Sequence, residues 1–156
     1  MFFTRTHEFS TPISKDEIKN RLVGKHVKIH NLDFEVVEMD YGINIIPHAE
    51  QETEIKTLPI TELDFKDDSG KTKVVIKTSM RKLDAGGPQL ILIFSGFLLA
   101  AATALFFTSG DKIISFTILG VFLFTITTFW FRMQTGYFDY CRKIREYVKN
   151  KGIGLA

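Results

Sequence analysis

Two long apolar stretches, separated by a short polar turn, dominate the second half of the chain. Residues 88–108 contain no ionisable side chain, and neither do residues 113–131. As a helix, the first stretch would be about 30 Å long, which matches the hydrocarbon thickness of a bilayer. A chain of 156 residues has too little other protein to cover two helices that are apolar on every side. The pattern predicts a transmembrane helical hairpin over 88–131, with its turn at 109–112.

The residues that flank this hairpin predict its ends and its orientation. Trp130 and Tyr137 stand where interfacial aromatic residues are common, and Arg132 ends the second span. Basic residues lie before the first span and after the second, whereas the turn has one lysine beside an aspartate. By the positive-inside rule, both termini face the cytoplasm of a plasma or inner membrane. We expect a multi-pass protein whose partners are the lipid bilayer and either other membrane proteins or further copies of itself.

Small residues recur along one side of the first span. Gly96, Ala100 and Ala104 are four residues apart, and Gly120 in the second span could oppose them. Such faces let helix backbones approach closely in a membrane, where lipid provides no hydrophobic drive for association. The face can pack the hairpin against itself, which we favour, or it can form a seam between copies of the chain.

The polar first half begins with a strand pattern and a well-marked helix. Residues 2–9 alternate, with the odd-numbered positions from Phe3 to Phe9 on one side of a strand. Ser14 is the expected N-cap of a short helix, and Glu17 completes a capping box. Gly24 ends the helix after about two and a half turns.

Strand-like segments fill the remainder of the first half. The pattern predicts an antiparallel sheet with one face to cover, and therefore an α+β domain over residues 1–85. The predicted strands are 26–30, 34–39, 43–47, 53–65 and 73–81, with a hairpin turn at 67–70.

The C-terminal segment, residues 132–156, is predicted to contain a basic amphipathic helix. Apolar side chains recur there at helical spacing, and basic side chains lie beside this stripe. The stripe consists of Tyr137, Tyr140, Cys141, Ile144, Tyr147 and Val148, and the basic residues are Arg142, Lys143, Arg145 and Lys149. The stripe can cover the sheet, or it can lie in the inner leaflet of the membrane. Its spacing does not distinguish these two surfaces.

The order of strand, short helix, antiparallel strands and terminal helix resembles the START-like helix-grip domains, with a membrane hairpin inserted before the last helix. The resemblance rests on element order and on no sequence motif. It implies an α+β fold in which the C-terminal helix returns to the sheet, and it carries no ligand site.

The distribution of charge argues against several classes of protein. Residues 1–87 hold 13 basic and 15 acidic side chains, and residues 132–156 hold 6 against 2. A nucleic-acid-binding protein concentrates positive charge on its folded domain, so we expect no nucleic-acid partner. A single cysteine excludes a disulfide framework. The spans lack acidic, histidine and arginine side chains, which argues against transport by this chain alone.

Few residues group in a way that indicates chemistry. His26 and His30 are four apart, but on a strand they point outward with Lys28 between them rather than sharing a metal. A second set offers metal ligands along an extended segment, although a solvated acidic stripe is the simpler interpretation: His48, Glu50, Glu52 and Glu54. No nucleotide-binding or catalytic motif is present. We expect no enzymatic activity, no metal and no cofactor.

Two functions fit these expectations, and a third, an enzyme acting on lipid head groups, would need convergent polar side chains with perturbed pKa values at the membrane face. The first is a non-enzymatic two-span anchor whose cytoplasmic domain contacts other proteins, as an accessory or scaffold subunit of a membrane complex. The alternative is a membrane-tethered binding module that holds a lipid or another apolar ligand between the sheet and the C-terminal helix. A cavity of roughly a few hundred Å³ at that position would favour the alternative.

Overall fold

The chain forms two compact units. The first combines the residues up to Arg81 with those from Tyr137 onward, and the second is Lys82–Gly136. The structure is a computed structural model that describes residues 3–30, 32–48, 58–68, 70–82, 84–108 and 112–154.

The first unit is α+β and the second is helical. In chain order, the elements of the first unit are β1 (Arg5–Thr11), α1 (Lys15–Leu22), β2 (His26–Ile29), β3 (Leu32–Met39), β4 (Gly42–His48), β5 (Pro59–Asp68), β6 (Lys71–Met80), α4 (Tyr137–Tyr147) and a π-helical turn, Val148–Gly152. The second unit consists of α2 (Gly86–Thr108) and α3 (Lys112–Thr135).

The described strands form one six-stranded antiparallel sheet in the order β1-β6-β5-β4-β3-β2. Consecutive strands from β2 to β6 are neighbours, and β1 pairs with β6, with His7 opposite Ile76. The first and last strands in the sequence are therefore adjacent, and β1 and β2 are the two edges. This confirms the predicted α+β class and the order of one strand, one helix and five further strands.

Strand boundaries differ most from the predicted ones in β1 and β5, and by one or two residues at the ends of the other strands. The strand predicted at 2–9 begins at Arg5 and continues to Thr11. The segment predicted at 53–65 is a strand from Pro59 onward, and residues 49–57 lie outside the described residues. The predicted hairpin turn is confirmed, because Asp68 pairs with Lys71 across a two-residue connection. Gly70 has a φ of +83° there, a conformation that glycine adopts without strain.

The start of α1 follows only half of the predicted capping box. The Ser14 hydroxyl accepts a hydrogen bond from the Glu17 amide at 3.3 Å, as predicted for an N-cap. The Glu17 carboxylate does not return to Ser14, because it pairs with Arg21 one turn later at 2.6 Å. The i,i+4 ion pair therefore replaces the second hydrogen bond of the box.

One continuous core joins the sheet to α1 and α4. Alternate strand residues point to the same face, where they meet Ile18 and Leu22 of α1 and Ile144 of α4. The fully buried strand residues include Phe34, Val36, Ile43, Ile45, Leu63 and Ile76. Gly42 is required by close backbone approach within the sheet, since a Cβ there would collide with the backbone carbonyl of Leu63.

Candidate interaction surfaces

The apolar stripe of α4 lies on the sheet. Tyr137 and Ile144 are almost fully buried, and Tyr140 and Val148 belong to the same buried cluster as the strand residues. The ring of Tyr140 lies 5.7 Å from the ring of Phe34 in β3. Of the two surfaces considered for this stripe, the sheet is therefore the one that it contacts in the structure.

Two polar side chains on the buried side of α4 are held in their neutral forms. The Tyr137 hydroxyl donates to the backbone carbonyl of Phe3 at 2.7 Å, and burial raises its pKa above the usual range. Burial also raises the pKa of the Cys141 thiol to about 11. Because the thiolate is the reactive form, Cys141 behaves at neutral pH as a small, half-buried apolar side chain.

An ionic cluster joins the start of α4 to the β2–β3 connection. Asp139 accepts hydrogen bonds from His30 at 2.8 Å and from Arg142 at 3.1 Å, and Lys143 lies 3.3 Å from it. These contacts, the His30 bond foremost, lower the pKa of Asp139 to about 2. His30 adopts a φ of +54° at the end of β2. The cluster joins one end of α4 to the sheet and places one carboxylate between two of the predicted surface cations.

Other cations of β1, α4 and the π-helical turn contact aromatic or histidine rings where β1 and α4 meet. The Arg5 guanidinium lies 4.9 Å from the Phe138 ring, and the Lys149 ammonium lies 5.6 Å from the Phe9 ring. Between them, Arg145 approaches the His7 ring nitrogen at 3.4 Å. We call Arg5, His7, Arg145 and Lys149 the basic seam.

The electrostatics of the basic seam act on its histidine. Partial burial lowers the pKa of His7, and the positive charges of Arg145, Lys149 and Arg5 lower it further. These surroundings therefore favour the neutral form of the imidazole. In the described part of the chain, no ion pair joins a carboxylate to Arg5, Arg145 or Lys149.

The helical unit carries its large apolar side chains on the outside. Phe97, Phe107 and Phe124 are 70%, 80% and 74% exposed. Trp130 and Arg132, near the end of α3, are exposed as well. Both helices are long and apolar enough to cross a membrane. Only 11% of the most apolar stretch of the first helix is buried, and only 6% of that of the second.

Hydroxyl groups, by contrast, lie between the two helices. Ser95 of α2 and Ser115 of α3 are buried, and the Ser115 hydroxyl donates to the Ala102 carbonyl of the facing helix at 2.7 Å. On the outside, Thr103 and Thr117 bond to carbonyls four residues earlier in their own helices. Such internal bonds satisfy hydroxyls that have no partner elsewhere.

The small-residue face of the helices requires a correction. Gly96, Ala100, Ala104 and Gly120 are exposed, and a Cβ added at either glycine would meet no atom within 4 Å. The favoured prediction, that these residues pack the hairpin against itself, is therefore wrong for the described helices. Their contact uses Ser95, Ala102 and Ser115 instead. A seam between copies of the chain stays a prediction.

Two histidines of the sheet contact carboxylates. His26 contacts Asp33 at 2.7 Å and His48 contacts Glu35 at 3.2 Å, on the polar side of β2, β3 and β4. As predicted, His26 and His30 are both exposed beside the buried Val27 and Ile29. The described residues contain no group of three potential metal ligands. Glu50, Glu52 and Glu54, proposed with His48, lie outside the described residues.

An open groove lies at the β3–β4 turn, far along the sheet from its edge strand β1. It has a volume of about 250 Å³ and is lined by apolar and acidic residues, among them Met39, Ile43, Glu62 and Asp64. Tyr41 at the turn is 87% exposed. The mixed lining indicates no particular class of ligand.

No protein-family model, curated protein or solved structure matches this chain. Sequence reasoning identified the α4 stripe but missed the basic seam and the His30–Asp139 pair. Only the odd-numbered side of β1 gave a signal, because it placed Arg5 and His7 together with two phenylalanines. Nothing in the sequence indicated that this side of β1 faces α4.

Proposed function

We propose that the chain is a two-span membrane protein without enzymatic activity. In this proposal α2 and α3 cross the bilayer, and the α+β unit is a cytoplasmic domain that contacts other membrane proteins or further copies of the chain. The chain would serve as an accessory or scaffold subunit of a complex in the plasma or inner membrane.

The observation that supports the membrane spans is the inverted arrangement of the helical unit. Most of its phenylalanines are exposed, with Phe129 as a buried exception, while serine hydroxyls lie between the helices. Exposed apolar surface costs about 25 cal/mol per Å² in water, and soluble monomers rarely expose large contiguous apolar patches. In lipid this cost is absent, and small polar residues are the favoured contacts between helices.

A core helix of a soluble protein would also be long and apolar, but its side chains would be mostly buried. The exposed fractions of Phe97, Phe107 and Phe124 in this unit are the opposite of that expectation. A protein partner could cover the same faces in place of lipid. The alkaline extraction test below separates these two cases.

The flanking charges support the proposed orientation. Arg81 and Lys82 precede α2, and Arg132 lies at the far end of α3. The positive-inside rule then assigns both ends of the chain to the cytoplasm. The proposal extends to a helix-grip-like arrangement of the α+β unit, supported by the element order and by the contact of α4 with the sheet.

Between the two functions considered, the anchor is the better supported. A ligand module would need a void between sheet and α4, and there the side chains of both layers form one buried cluster. The direct contact of Tyr140 with Phe34 occupies part of the space that an apolar ligand would use.

Membrane extraction tests the anchor. Membranes from cells expressing the full chain are washed with alkaline carbonate and then with detergent. We expect the chain to stay in the pellet until detergent is added, as helices that span the bilayer do. A chain held at the membrane only by a protein partner would be released at alkaline pH. Recovery in the carbonate supernatant would contradict the proposal.

Two further measurements test orientation and assembly. Tags fused before Met1 and after Ala156 should both resist protease in intact cells and become sensitive after lysis. Tags on opposite faces would contradict the topology. In mild detergent, the chain should migrate as a stoichiometric complex with partners or copies, and a solitary monomer would contradict the scaffold role.

A further inference from the structure

The basic seam gathers three cations from two separate elements. Arg5 lies on the edge strand β1, and Arg145 and Lys149 lie on α4 and the turn that follows it. Several cations elsewhere in the same unit contact carboxylates: Lys73 contacts Glu8 on the other side of β1, and Arg142 and Lys143 contact Asp139. The basic seam therefore concentrates positive charge that the described carboxylates do not balance.

We propose that the basic seam binds a phosphate group, either in the head group of an anionic lipid or in a free phosphate ester. Guanidinium groups present paired N–H donors that match phosphate oxygens, and an ammonium adds a compact positive charge. The His7 ring lies among these cations and can contribute one further donor.

The aromatic contacts favour this use of the cations. Phe138 beneath Arg5 and Phe9 beneath Lys149 position the cationic groups without neutralising them. Arg145 and Lys149 are also four residues apart, a spacing at which like charges repel on a helix. A bound phosphate would relieve this repulsion, and it would raise the pKa of His7 by opposing the three positive charges.

Two structural explanations account for part of the cluster. Charged residues on the inner side of an edge strand prevent edge-to-edge pairing, which would explain Arg5 and His7. Cations near a helix C-terminus complement the helix dipole, which would explain Arg145 and Lys149. Neither explanation requires the two groups to converge, and neither predicts a response to phosphate.

The first arm of the test uses the full chain in an uncharged detergent, so its outcome does not depend on the proposed membrane spans. The four histidine side chains are followed by NMR during a pH titration, with and without inorganic phosphate. A second arm uses nanodiscs of phosphatidylcholine with and without phosphatidic acid. We expect the pKa of His7 to rise with at least one probe while that of His26 stays unchanged.

The two arms distinguish the sources of the phosphate. A response to inorganic phosphate favours a free ester, and a response only to phosphatidic acid favours a lipid head group. No response of His7 in either arm would overturn the proposal.

Matched variants separate the basic seam from general charge effects. Arg145→Gln with Lys149→Gln should weaken binding about fivefold for each cation and about thirtyfold together. The control, Lys25→Gln with Lys28→Gln, removes the same charge from exposed positions and should bind normally. The exchange Arg145→Lys with Lys149→Arg should keep most of the phosphate binding. That result would show that the glutamine variant loses binding through its missing charges and not through misfolding. Equal loss in the control would overturn the proposal.

Discussion

The two units use the same kinds of side chain in opposite places. In the α+β unit Phe34 is 0% exposed, whereas Phe124 in the helical unit is 74% exposed. In the first unit most of the fully buried side chains are apolar, while the contact between α2 and α3 contains two serines. Hydrophobicity alone therefore does not decide which residues are inside, and the proposed membrane spans would explain the difference by the medium around each unit.

The difference also shows where the chain can respond to its surroundings. Asp139 and His7, whose pKa values depart from the ordinary ones, lie in the α+β unit. The apolar parts of α2 and α3 contain no acidic or histidine side chain. We expect pH and ligands to act on the α+β unit, with the helical unit serving to hold it at a membrane.

The largest effect should come from truncating a buried ring. Phe34→Ala should lower the free energy of unfolding of the α+β unit by about 4 kcal/mol, because it leaves a cavity in the core. Phe124→Ala removes the same atoms from an exposed position and should cost less than about 1 kcal/mol in a membrane mimic. Denaturant titration of both variants in detergent measures the contrast. Equal losses would remove the distinction between the two units.

Glycine substitutions should separate the units almost as strongly. Gly42→Ala brings a methyl group against the Leu63 carbonyl, and we expect a loss of about 3 kcal/mol in unfolding free energy. Gly96→Ala and Gly120→Ala meet no atom within 4 Å and improve helix propensity, so stability should stay constant or rise slightly. If Gly96→Ala instead dissociates an oligomer in mild detergent, the small-residue face is an interface between copies of the chain.

The contacts of Asp139, which attach α4 to the sheet, should make the free energy of unfolding depend on pH by about 1 kcal/mol. The pKa of Asp139 is about 2 in the folded protein and 3.8 in an ordinary aspartate, so the carboxylate stabilises the fold above pH 4. This contribution should be lost as the pH falls from 4 towards 2. Asp139→Asn should remove it at all pH values, whereas Glu146→Gln on the exposed side of α4 should not. Unfolding of both variants between pH 2 and 7 checks this, and identical profiles would contradict it.

The smallest effect should be found between the two apolar helices. Ser115→Ala removes the bond to the Ala102 carbonyl, and interhelical hydrogen bonds in membranes contribute about 0.6 kcal/mol. Thr117→Val removes a bond within one helix and should change stability less. Unfolding of the helical unit in bilayer mimics compares them. A larger loss for Thr117→Val would show that the described contact between the helices is wrong.

The strands and α1 could be predicted because each has a periodic pattern with a definite partner face. The alternate burial of Val27, Ile29, Val74 and Ile76 fits the period of the predicted strands, and Ser14 marked a helix start. The pairing of the Glu17 carboxylate was predicted wrongly. It forms an ion pair with Arg21, four residues later, instead of a hydrogen bond to the backbone of Ser14. Local pattern therefore predicted which elements form more reliably than which side chains pair.

The contact face of the helical unit could not be predicted in the same way. A helix that is apolar on every side gives no periodic signal that fixes its rotation, so the spacing of Gly96 and Ala100 was a poor guide. The basic seam was missed for another reason. Arg5 and Arg145 are distant in sequence, and only the folded unit brings side chains of β1 into contact with α4.

The central claim, that lipid surrounds α2 and α3, is tested most directly through Trp130, the single tryptophan of the chain. The full chain is reconstituted into vesicles whose phosphatidylcholine carries bromine near the head-group end of the acyl chains. We predict strong quenching of tryptophan fluorescence by the brominated lipid and weak quenching by aqueous iodide. Fluorescence that ignores the brominated lipid and is fully quenched by iodide would contradict the account.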